Sequence, residues 1–366
     1  MAKWMLRSSR SMTGSTRLFQ HNTRSCVCRA ERMRNTWLFC RFKDILVLQA
    51  LSGGITFSDM DTGTDIAAKI LCDELNITPT EITRFTTGYC HSVFYVRAEI
   101  GECVLRLTGE ENKGFYLGSV KWMDALARLG IPVPQVLKHG QHGDMYYALI
   151  TFILGRDLGE VYHALDDRQK HGIAKELSNI QAKVSSMPSI NLYGYENNSF
   201  ATWLEFIESH IKRSHGRITQ NDVFGADVCD AVSGVMHTLR DYFADVKPTP
   251  FLDDTTTKNV LVHNGKLAGI VDVDEVCYGD SLLTVGLTNM SLLAMKADTK
   301  YIDYWLDELQ ANAAQRNAVT FYTLLFCIDF MGEQGMRFDN GNTVPVNPGN
   351  IESLNVIYHE LLGKLS

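Results

Sequence analysis

The chain has 366 residues, of which 45% are hydrophobic and 21% charged, and its formal net charge at pH 7 is −7. This length accommodates two lobes of ordinary domain size, while no apolar run approaches the roughly 20 residues that a membrane-spanning helix needs. The nine cysteines include no C-x-x-C pair, and the H-E-x-x-H, G-x-x-x-x-G-K-[ST] and G-x-G-x-x-G motifs are all absent from the sequence, which argues against transition-metal, P-loop and Rossmann sites.

Charge is unevenly distributed along the chain. Residues 1–58 carry ten basic and two acidic side chains, which leaves 25 basic and 40 acidic side chains, a net charge of −15, for the remainder. An acidic surface repels nucleic acid and attracts cations and amines, so no nucleic-acid partner is expected. Taken by itself, a charge of this size is better explained by a role in solubility alone.

The first 58 residues form a basic extension with no residue that suggests catalysis. We interpret it as disordered or as sequence upstream of the true start, because Met60 opens a more ordinary beginning that leads directly into a helical pattern. A mitochondrial transit peptide is the alternative, since such peptides are rich in Arg and Ser and poor in acids. The scattered cysteines indicate reduced thiols, so a cytoplasmic location without a membrane partner is expected.

The elements that follow predict a small, sheet-rich lobe over residues 59–153. Helical spacing begins at Thr64, and the patterns then change to short strands. A helix near 120–129 ends at Gly130–Pro134, because proline has no N–H to continue the helical ladder. The strands of this lobe are predicted at 92–98, 102–107, 135–138 and 145–153.

After Gly155 the periodicity becomes mostly helical, which predicts a larger lobe over residues 154–366. Helices are predicted at 173–184, 201–211, 228–243, 282–295, 301–309 and 313–331, and one strand pair interrupts them at 259–273. The predicted fold class is therefore α+β, with a small antiparallel-sheet N-terminal lobe and a larger, mainly helical C-terminal lobe.

The strand pair carries the most informative polar residues. Asn264-Gly265 between two apolar runs predicts a two-residue hairpin turn. Uninterrupted pairing from this turn puts Asn259 opposite Ile270 and leaves Asn259 and Asp272 on one face, roughly 7–8 Å apart. A carboxylate and an amide oxygen suit Mg²⁺, and an unpaired Asp272 in an apolar strand would cost several kcal/mol. The alternative is that these are ordinary polar residues of loops and turns.

Asp254, five residues before Asn259, enters the same end of the hairpin and can accept a proton from a hydroxyl. Asp-x-x-x-x-Asn, a short Asn-Gly hairpin and Ile-Val-Asp-Val-Asp, followed by Tyr278-Gly-Asp280, resemble the aminoglycoside-phosphotransferase family, whose members share the two-lobed protein-kinase-like fold. The resemblance implies Mg²⁺-dependent transfer of a phosphoryl group from ATP or GTP to a hydroxyl of a small molecule. It implies Asp254 as the catalytic base and Asn259 and Asp272 as the Mg²⁺ ligands.

The resemblance also implies a nucleotide site in the N-terminal lobe. A Gly-containing turn precedes the first strand, where it would cover phosphates. Arg106 occupies the strand in which kinases keep a phosphate-pairing lysine, although alternation alone equally allows it to face solvent on an edge strand. The segment 149–155 corresponds to the hinge that binds the purine. The expected nucleotide-binding residues are Thr87, Gly88, Ser92, Arg106, Thr151 and Ile153.

Two departures from the family pattern bear on activity. Leu252 stands where the family has a histidine that supports the catalytic loop. Residues 118–121 hold no acid where the family has a helix glutamate that pairs with the phosphate-binding lysine of the strand. Glu110, Glu111 or Asp124 are the candidates to replace that glutamate. A nucleotide-binding pseudokinase without transfer activity is therefore the alternative function, whereas a protein kinase is disfavoured because no activation-loop motif follows the hairpin.

The acceptor is expected to be a small cationic hydroxyl compound, such as an aminoglycoside, an amino alcohol or a sugar. The resemblance also implies that Asp274 and Glu275, which follow Asp272, lie near the metal or the acceptor. Asp329 and Glu333 lie among aromatic residues, which suits a partly buried groove for an ammonium group. The similarly spaced acids at 303 and 307 are interpreted as a solvated helix face.

Overall fold

The computed structural model of the protein describes residues 58–85, 91–336 and 343–365. The basic extension thus lies, apart from its last residue, outside the described residues, as do Thr87 and Gly88 of the expected phosphate-covering turn. The division into 1–58, 59–153 and 154–366 stays a prediction. None of the helices in the described ranges has the length and apolar character needed to cross a membrane.

The N-terminal part is a five-stranded antiparallel sheet flanked by two helices. Its strand order is β1-β2-β3-β5-β4. Helix α1 continues into one π-helical turn, and helix α2 follows the third strand. The elements are α1 (Ser58–Lys69), β1 (Pro79–Arg84), β2 (Ser92–Ala98), β3 (Gly101–Gly109), α2 (Lys113–Arg128), β4 (Val136–His142) and β5 (Met145–Thr151).

Both faces of β3 are covered, which decides how its side chains are used. On one face Leu105 and Leu107 join a core with Ile70 and Leu71 from the π-helical turn that follows α1. Because side chains alternate along a strand, Arg106 points to the opposite face, where it is also buried, at 7% exposure. The solvent-facing alternative for Arg106 is therefore wrong.

The C-terminal part is mainly helical, with two small sheets of order β11-β10-β6 and β8-β7-β12-β9. Its helices are α3 (Leu158–Val161), α4 (Asp167–Ser185), α5 (Trp203–Asn221), α6 (Asp227–Thr238), α7 (Arg240–Asp245), α8 (Leu282–Ala294), α9 (Lys300–Glu308), α10 (Ala313–Glu333) and α11 (Pro348–Leu365). Its strands are β6 (Arg156–Asp157), β7 (Tyr193–Tyr195), β8 (Asn198–Phe200), β9 (Thr249–Phe251), β10 (Val260–His263), β11 (Lys266–Ile270) and β12 (Cys277–Gly279).

Local sequence explains where the long helices begin. Asp166, Thr202 and Asn312 each accept a hydrogen bond from the backbone N–H three residues later, and the Gln or Glu side chain there bonds back, which forms a capping box at the start of α4, α5 and α10. Helix α10 is apolar around its circumference and lies at the centre of the C-terminal part, as expected for a fully buried helix.

The predicted α+β fold class is confirmed, with an antiparallel N-terminal sheet followed by a mostly helical C-terminal part. Eight of the labelled helices and strands have no counterpart in the sequence prediction: α3, α11 and the short strands β1, β6, β7, β8, β9 and β12. The helix predicted at 228–243 divides at Leu239 into α6 and α7. Strand β6 is two residues long and exists only because it pairs with β10, so no local periodicity announces it.

Candidate functional site

The hairpin β10–β11 keeps the predicted register only next to its turn. His263 pairs with Lys266 and Val262 with Leu267, as predicted, but the register then shifts and Leu261 pairs with Gly269. Val260, not Asn259, is opposite Ile270. The predicted placement of Asn259 and Asp272 on one strand face is therefore wrong.

The shift has a tertiary cause. Ile270 N donates to Pro132 O at 2.8 Å, and Gly269 packs so tightly that a Cβ there would lie 2.7 Å from Ile153 Cδ1. Asp272 then leaves the strand with a φ of 59°, in the left-handed region. Such a strained conformation in a polar residue is typical of functional loops.

Asn259 connects the segments that carry Asp254 and Asp272 through hydrogen bonds rather than through strand pairing. Its Nδ2 donates to Asp254 O at 3.1 Å, and its own carbonyl accepts from Val271 N at 2.9 Å. One residue thus ties the loop that carries Asp254 to the residue before Asp272. Because the Asn259 amide nitrogen makes this bond, the amide oxygen is the atom that can act as a ligand.

The loop around Asp254 is buried and braced from two helices. Thr255 Oγ1 lies 3.1 Å from Thr284 Oγ1 of α8. Gln181 of α4 donates from Nε2 to Leu252 O at 2.7 Å, and its Oε1 accepts from Leu252 N at 3.0 Å. Gln181 therefore holds the backbone of Leu252, the position at which the sequence resemblance implies a supporting histidine.

Sequence reasoning missed Gln181. The available signal was a polar side chain on the apolar stripe of the helix predicted at 173–184, four residues after Leu177. A buried amide that satisfies its hydrogen bonds on a backbone segment far along the chain marks a point of support for that segment.

Arg106 lies at the centre of a buried network that joins β3 to the loop after β11. Its Nη1 donates to Asp274 Oδ1 at 3.1 Å and to Ser119 Oγ at 2.8 Å. Its Nη2 donates to Asp274 Oδ2 at 3.1 Å and to Asp272 Oδ1 at 3.2 Å. His91 Nε2 donates to Asp274 Oδ2 at 3.0 Å.

The charges of this network determine its protonation. Burial acts to raise the pKa of Asp274, but the Arg106 guanidinium and His91 outweigh burial and hold that pKa well below its usual range. Burial acts to lower the pKa of Arg106, and Asp274 and Asp272 raise it. Asp274 is accordingly a carboxylate whose two oxygens are bonded to Arg106 and His91, which is a different setting from the metal or acceptor contact expected for it.

The candidates for the missing helix glutamate bond to other residues. Glu110 accepts from Tyr146 and Lys113, and Asp124 pairs with Arg128 on the exposed side of α2. Glu111 folds back over the preceding glycine, where a Cβ would collide with its carboxylate. From α2 it is the hydroxyl of Ser119 that reaches Arg106.

The residues fit a Mg²⁺ ion at Asn259 and Asp272. Both supply hard oxygen atoms, and 35% of the Asp272 side chain is exposed. His91, Asp272 and Asp274 also bring potential ligand atoms within 4.8 Å of one another. His91 and Asp274 are bonded to each other, however, and an imidazole nitrogen suits Mg²⁺ poorly, so the oxygen pair fits better.

The described residues of the expected nucleotide site lie along the sheet and the hinge. Ser92 begins β2 and accepts from Arg84 Nη2 at 3.4 Å. Thr151 ends β5 and accepts from Gln135 N at 2.9 Å. Ile153 follows β5 and packs on Gly269 of the hairpin. Their nucleotide contacts, with those of Thr87 and Gly88, stay predictions.

Asp329 and Glu333 are placed differently from the groove expected for them. Asp329 is fully buried in α10 and accepts from His210, Arg213, Ser214 and Arg217 of α5 at 2.7–3.4 Å. A substrate ammonium would have to displace one of these donors. Glu333 is 3% exposed, and Glu275 is buried beside Asp274. No substrate role is proposed for Asp329 or Glu333.

Comparisons with known proteins identify a family and a shared fold. The family model "Phosphotransferase enzyme family" matches residues 81–316. A solved complex of a thermostable mutant of aminoglycoside phosphotransferase APH(4)-Ia with ADP and hygromycin B is similar to this chain, with a TM-score of 0.57, 16% identity and coverage of 81% of this chain and 97% of that one. No curated protein sequence matches the chain significantly.

Two further solved structures share the fold. The streptomycin–ATP complex of APH(2'')-IIa has a TM-score of 0.54 and 13% identity, and covers 85% of this chain and 97% of that one. A protein described as a fructosamine-3-kinase from Haemophilus somnus 129PT has a TM-score of 0.57 and 10% identity, and covers 82% of this chain and 96% of that one. Identities this low establish the fold alone.

Proposed function

This chain belongs to the phosphotransferase enzyme family, and from that premise we propose that it transfers the γ-phosphoryl group of ATP or GTP to a hydroxyl of a small cationic molecule. The observation that carries the proposal is the position of Asn259, which ties the backbone of Asp254 to that of Val271. The proton acceptor and the candidate metal ligands thereby belong to one end of the hairpin. Phosphoryl transfer needs little more than positioning and charge neutralisation, which such a grouping supplies.

The proposed roles follow from the groups available. Asp254 accepts the proton of the attacking hydroxyl, and its burial in a braced loop keeps it oriented. Asn259 and Asp272 would hold Mg²⁺, which would supply positive charge to neutralise the transferring phosphates. Arg106 contributes a fixed positive charge beside them. The acidic body of the protein and the buried Glu275 favour a cationic acceptor.

A nucleotide-binding pseudokinase is the second candidate, and Leu252 is the residue that favours it. The two hydrogen bonds from Gln181 to the Leu252 backbone support the loop by other means. The presence of Asp254, Asn259 and Asp272 together also argues for transfer activity.

The test is phosphoryl transfer by the full chain with Mg²⁺ and γ-labelled ATP or GTP, against a panel of aminoglycosides, amino alcohols and sugars. We expect label on one acceptor class. Asp254→Ala should reduce transfer by about 10³-fold while nucleotide still binds, because only the proton acceptor is lost. The matched control Asp303→Ala changes an exposed acid on α9 and should leave transfer unchanged.

Tight nucleotide binding without transfer to any acceptor would support the pseudokinase. Unchanged turnover in Asp254→Ala would contradict the assignment of the base. Absence of any nucleotide binding would contradict the proposed function as a whole.

A further inference from the structure

The two terminal nitrogens of Arg106 make four hydrogen bonds. A guanidinium has four N–H groups on its two terminal nitrogens. In this protein two of them bond to the Asp274 carboxylate, one to Ser119 Oγ and one to Asp272 Oδ1. The pairing with Asp274 is bidentate, which is the strongest and most directional arrangement for these groups.

The four bonds differ in how easily they can be exchanged. Asp274 is 6% exposed, and its side chain is bonded to Arg106 on both oxygens and to His91. The bond to Asp272 is the longest, at 3.2 Å, and that carboxylate is the more exposed partner. If Asp272 turned to bind a cation, Arg106 would keep three of its bonds, and its fourth terminal N–H would be free to bond to a phosphate oxygen.

Asp274 is itself fixed by the N-terminal part of the protein. His91, the residue before β2, bonds to it and, through Nδ1, to Thr108 of β3 at 2.7 Å. Helix α2 approaches so closely at Gly118 that a Cβ there would overlap the Asp274 carbonyl oxygen. His91, Arg106 of β3 and Gly118 of α2 therefore all lie against Asp274, a residue of the C-terminal part.

We propose that Asp274 is the positioning residue that orients Arg106 toward the nucleotide phosphates, taking the role that a helix glutamate has in related kinases. The inference rests on the proposed function. The negative charge that orients Arg106 then comes from a loop of the C-terminal part. Helix α2 contributes only the neutral hydroxyl of Ser119. Asp274 touches neither phosphate nor acceptor in this role.

The test measures nucleotide affinity by calorimetry in the full chain, with ADP as the probe, with and without Mg²⁺. Asp274→Asn keeps the shape of the side chain and removes its charge, so we expect ADP affinity to fall by about 10- to 100-fold. The matched control Asp124→Asn alters an exposed ion pair on α2 and should leave affinity unchanged.

Rescue separates orientation from direct contact. Ser119 Oγ lies 2.8 Å from Arg106 Nη1, so Ser119→Asp places a carboxylate against the same guanidinium from α2. In the Asp274→Asn background this change should recover most of the lost affinity. If Asp274 instead contacted ligand itself, a carboxylate on α2 would restore nothing, and that result would overturn the proposal.

Ser119→Ala provides a variant that leaves the buried ion pair intact should Asp274→Asn fold poorly. It removes one neutral hydrogen bond to Arg106, and we expect the KM for nucleotide to rise by about 2- to 10-fold with kcat less affected. Unchanged nucleotide affinity in Ser119→Ala and in folded Asp274→Asn would overturn this inference alone. A wild-type chain that binds no nucleotide would overturn both the inference and the proposed function.

Discussion

Two buried carboxylates in this protein, Asp274 and Asp329, are bonded to the same types of residue but differ in whether a solvent-exposed side chain lies beside them. Each is bonded to arginine and histidine, and a serine hydroxyl completes the group. The junction cluster contains His91, Arg106, Ser119, Asp272 and Asp274. The core cluster contains His210, Arg213, Ser214, Arg217 and Asp329.

The clusters differ in whether a member reaches solvent. In the junction cluster 35% of the Asp272 side chain is exposed, and the residues come from the N-terminal sheet, α2 and the loop after β11. The core cluster lies between α5 and α10, and its carboxylate has no exposed area. Of these two buried acids, only Asp274 has a second, partly exposed acid beside it, and its cluster is the candidate site. The cluster around Asp329 joins two helices.

The comparison is tested most strongly by removing the charge of the core cluster. Asp329→Asn leaves Arg213 and Arg217 buried without their carboxylate, so we expect the free energy of unfolding to fall by about 3–5 kcal/mol in urea titrations. Asp307→Asn, at the exposed pair with Arg316, should change it by less than about 1 kcal/mol. Equal, small effects in both variants would show that the core cluster is not a structural element.

The pH dependence of the free energy of unfolding provides a second test of the core cluster. Burial, with the nearby Arg213, lowers the pKa of His210 to about 4, although Asp329 acts to raise it. The pKa in the unfolded chain is about 6.5, so protons bind the unfolded state more tightly. The free energy of unfolding should therefore fall as pH decreases from about 6.5 to about 4, by on the order of 3 kcal/mol.

The control for this prediction is His210→Asn, which removes the titrating group. Its free energy of unfolding should vary less than that of the wild type over the same pH range. The same slope in both proteins would show that His210 titrates normally in the folded state.

The hydrogen bonds that support the loop carrying Asp254, the proposed base, should affect turnover more than stability. Gln181→Met keeps the length of the side chain and removes both hydrogen bonds to the Leu252 backbone. We expect kcat to fall by about 10- to 100-fold, because a small displacement of Asp254 misaligns the base, with KM for nucleotide unchanged. Gln141→Met, on the exposed face of β4, is the control. A wild-type kcat in Gln181→Met would show that Gln181 does not position Asp254.

The sequence was a good guide wherever the relevant signal is local. Helical spacing located most helices of the C-terminal part, and Asn264-Gly265 located the hairpin turn. The register failed beyond Val262 because its cause, the bond from Ile270 N to Pro132 O, comes from a segment far along the chain.

The interactions that build the candidate site were not predictable for the same reason. Gln181 and Leu252 are 71 positions apart, and Arg106 and Asp274 are 168 apart. Contacts of that separation leave no periodic pattern. Asp329 and Asp274 also look alike in the sequence, as acids among apolar residues, and only their packing distinguishes them.

The most direct test of the junction cluster is a calorimetric titration with AMP-PNP, with and without Mg²⁺, of wild-type protein and Asp272→Asn. If this cluster is the Mg-nucleotide site, Mg²⁺ should strengthen binding to the wild type, and the variant should lose that gain while it still binds the metal-free nucleotide. The same Mg²⁺ effect in both proteins, or no binding to the wild type, would contradict the assignment.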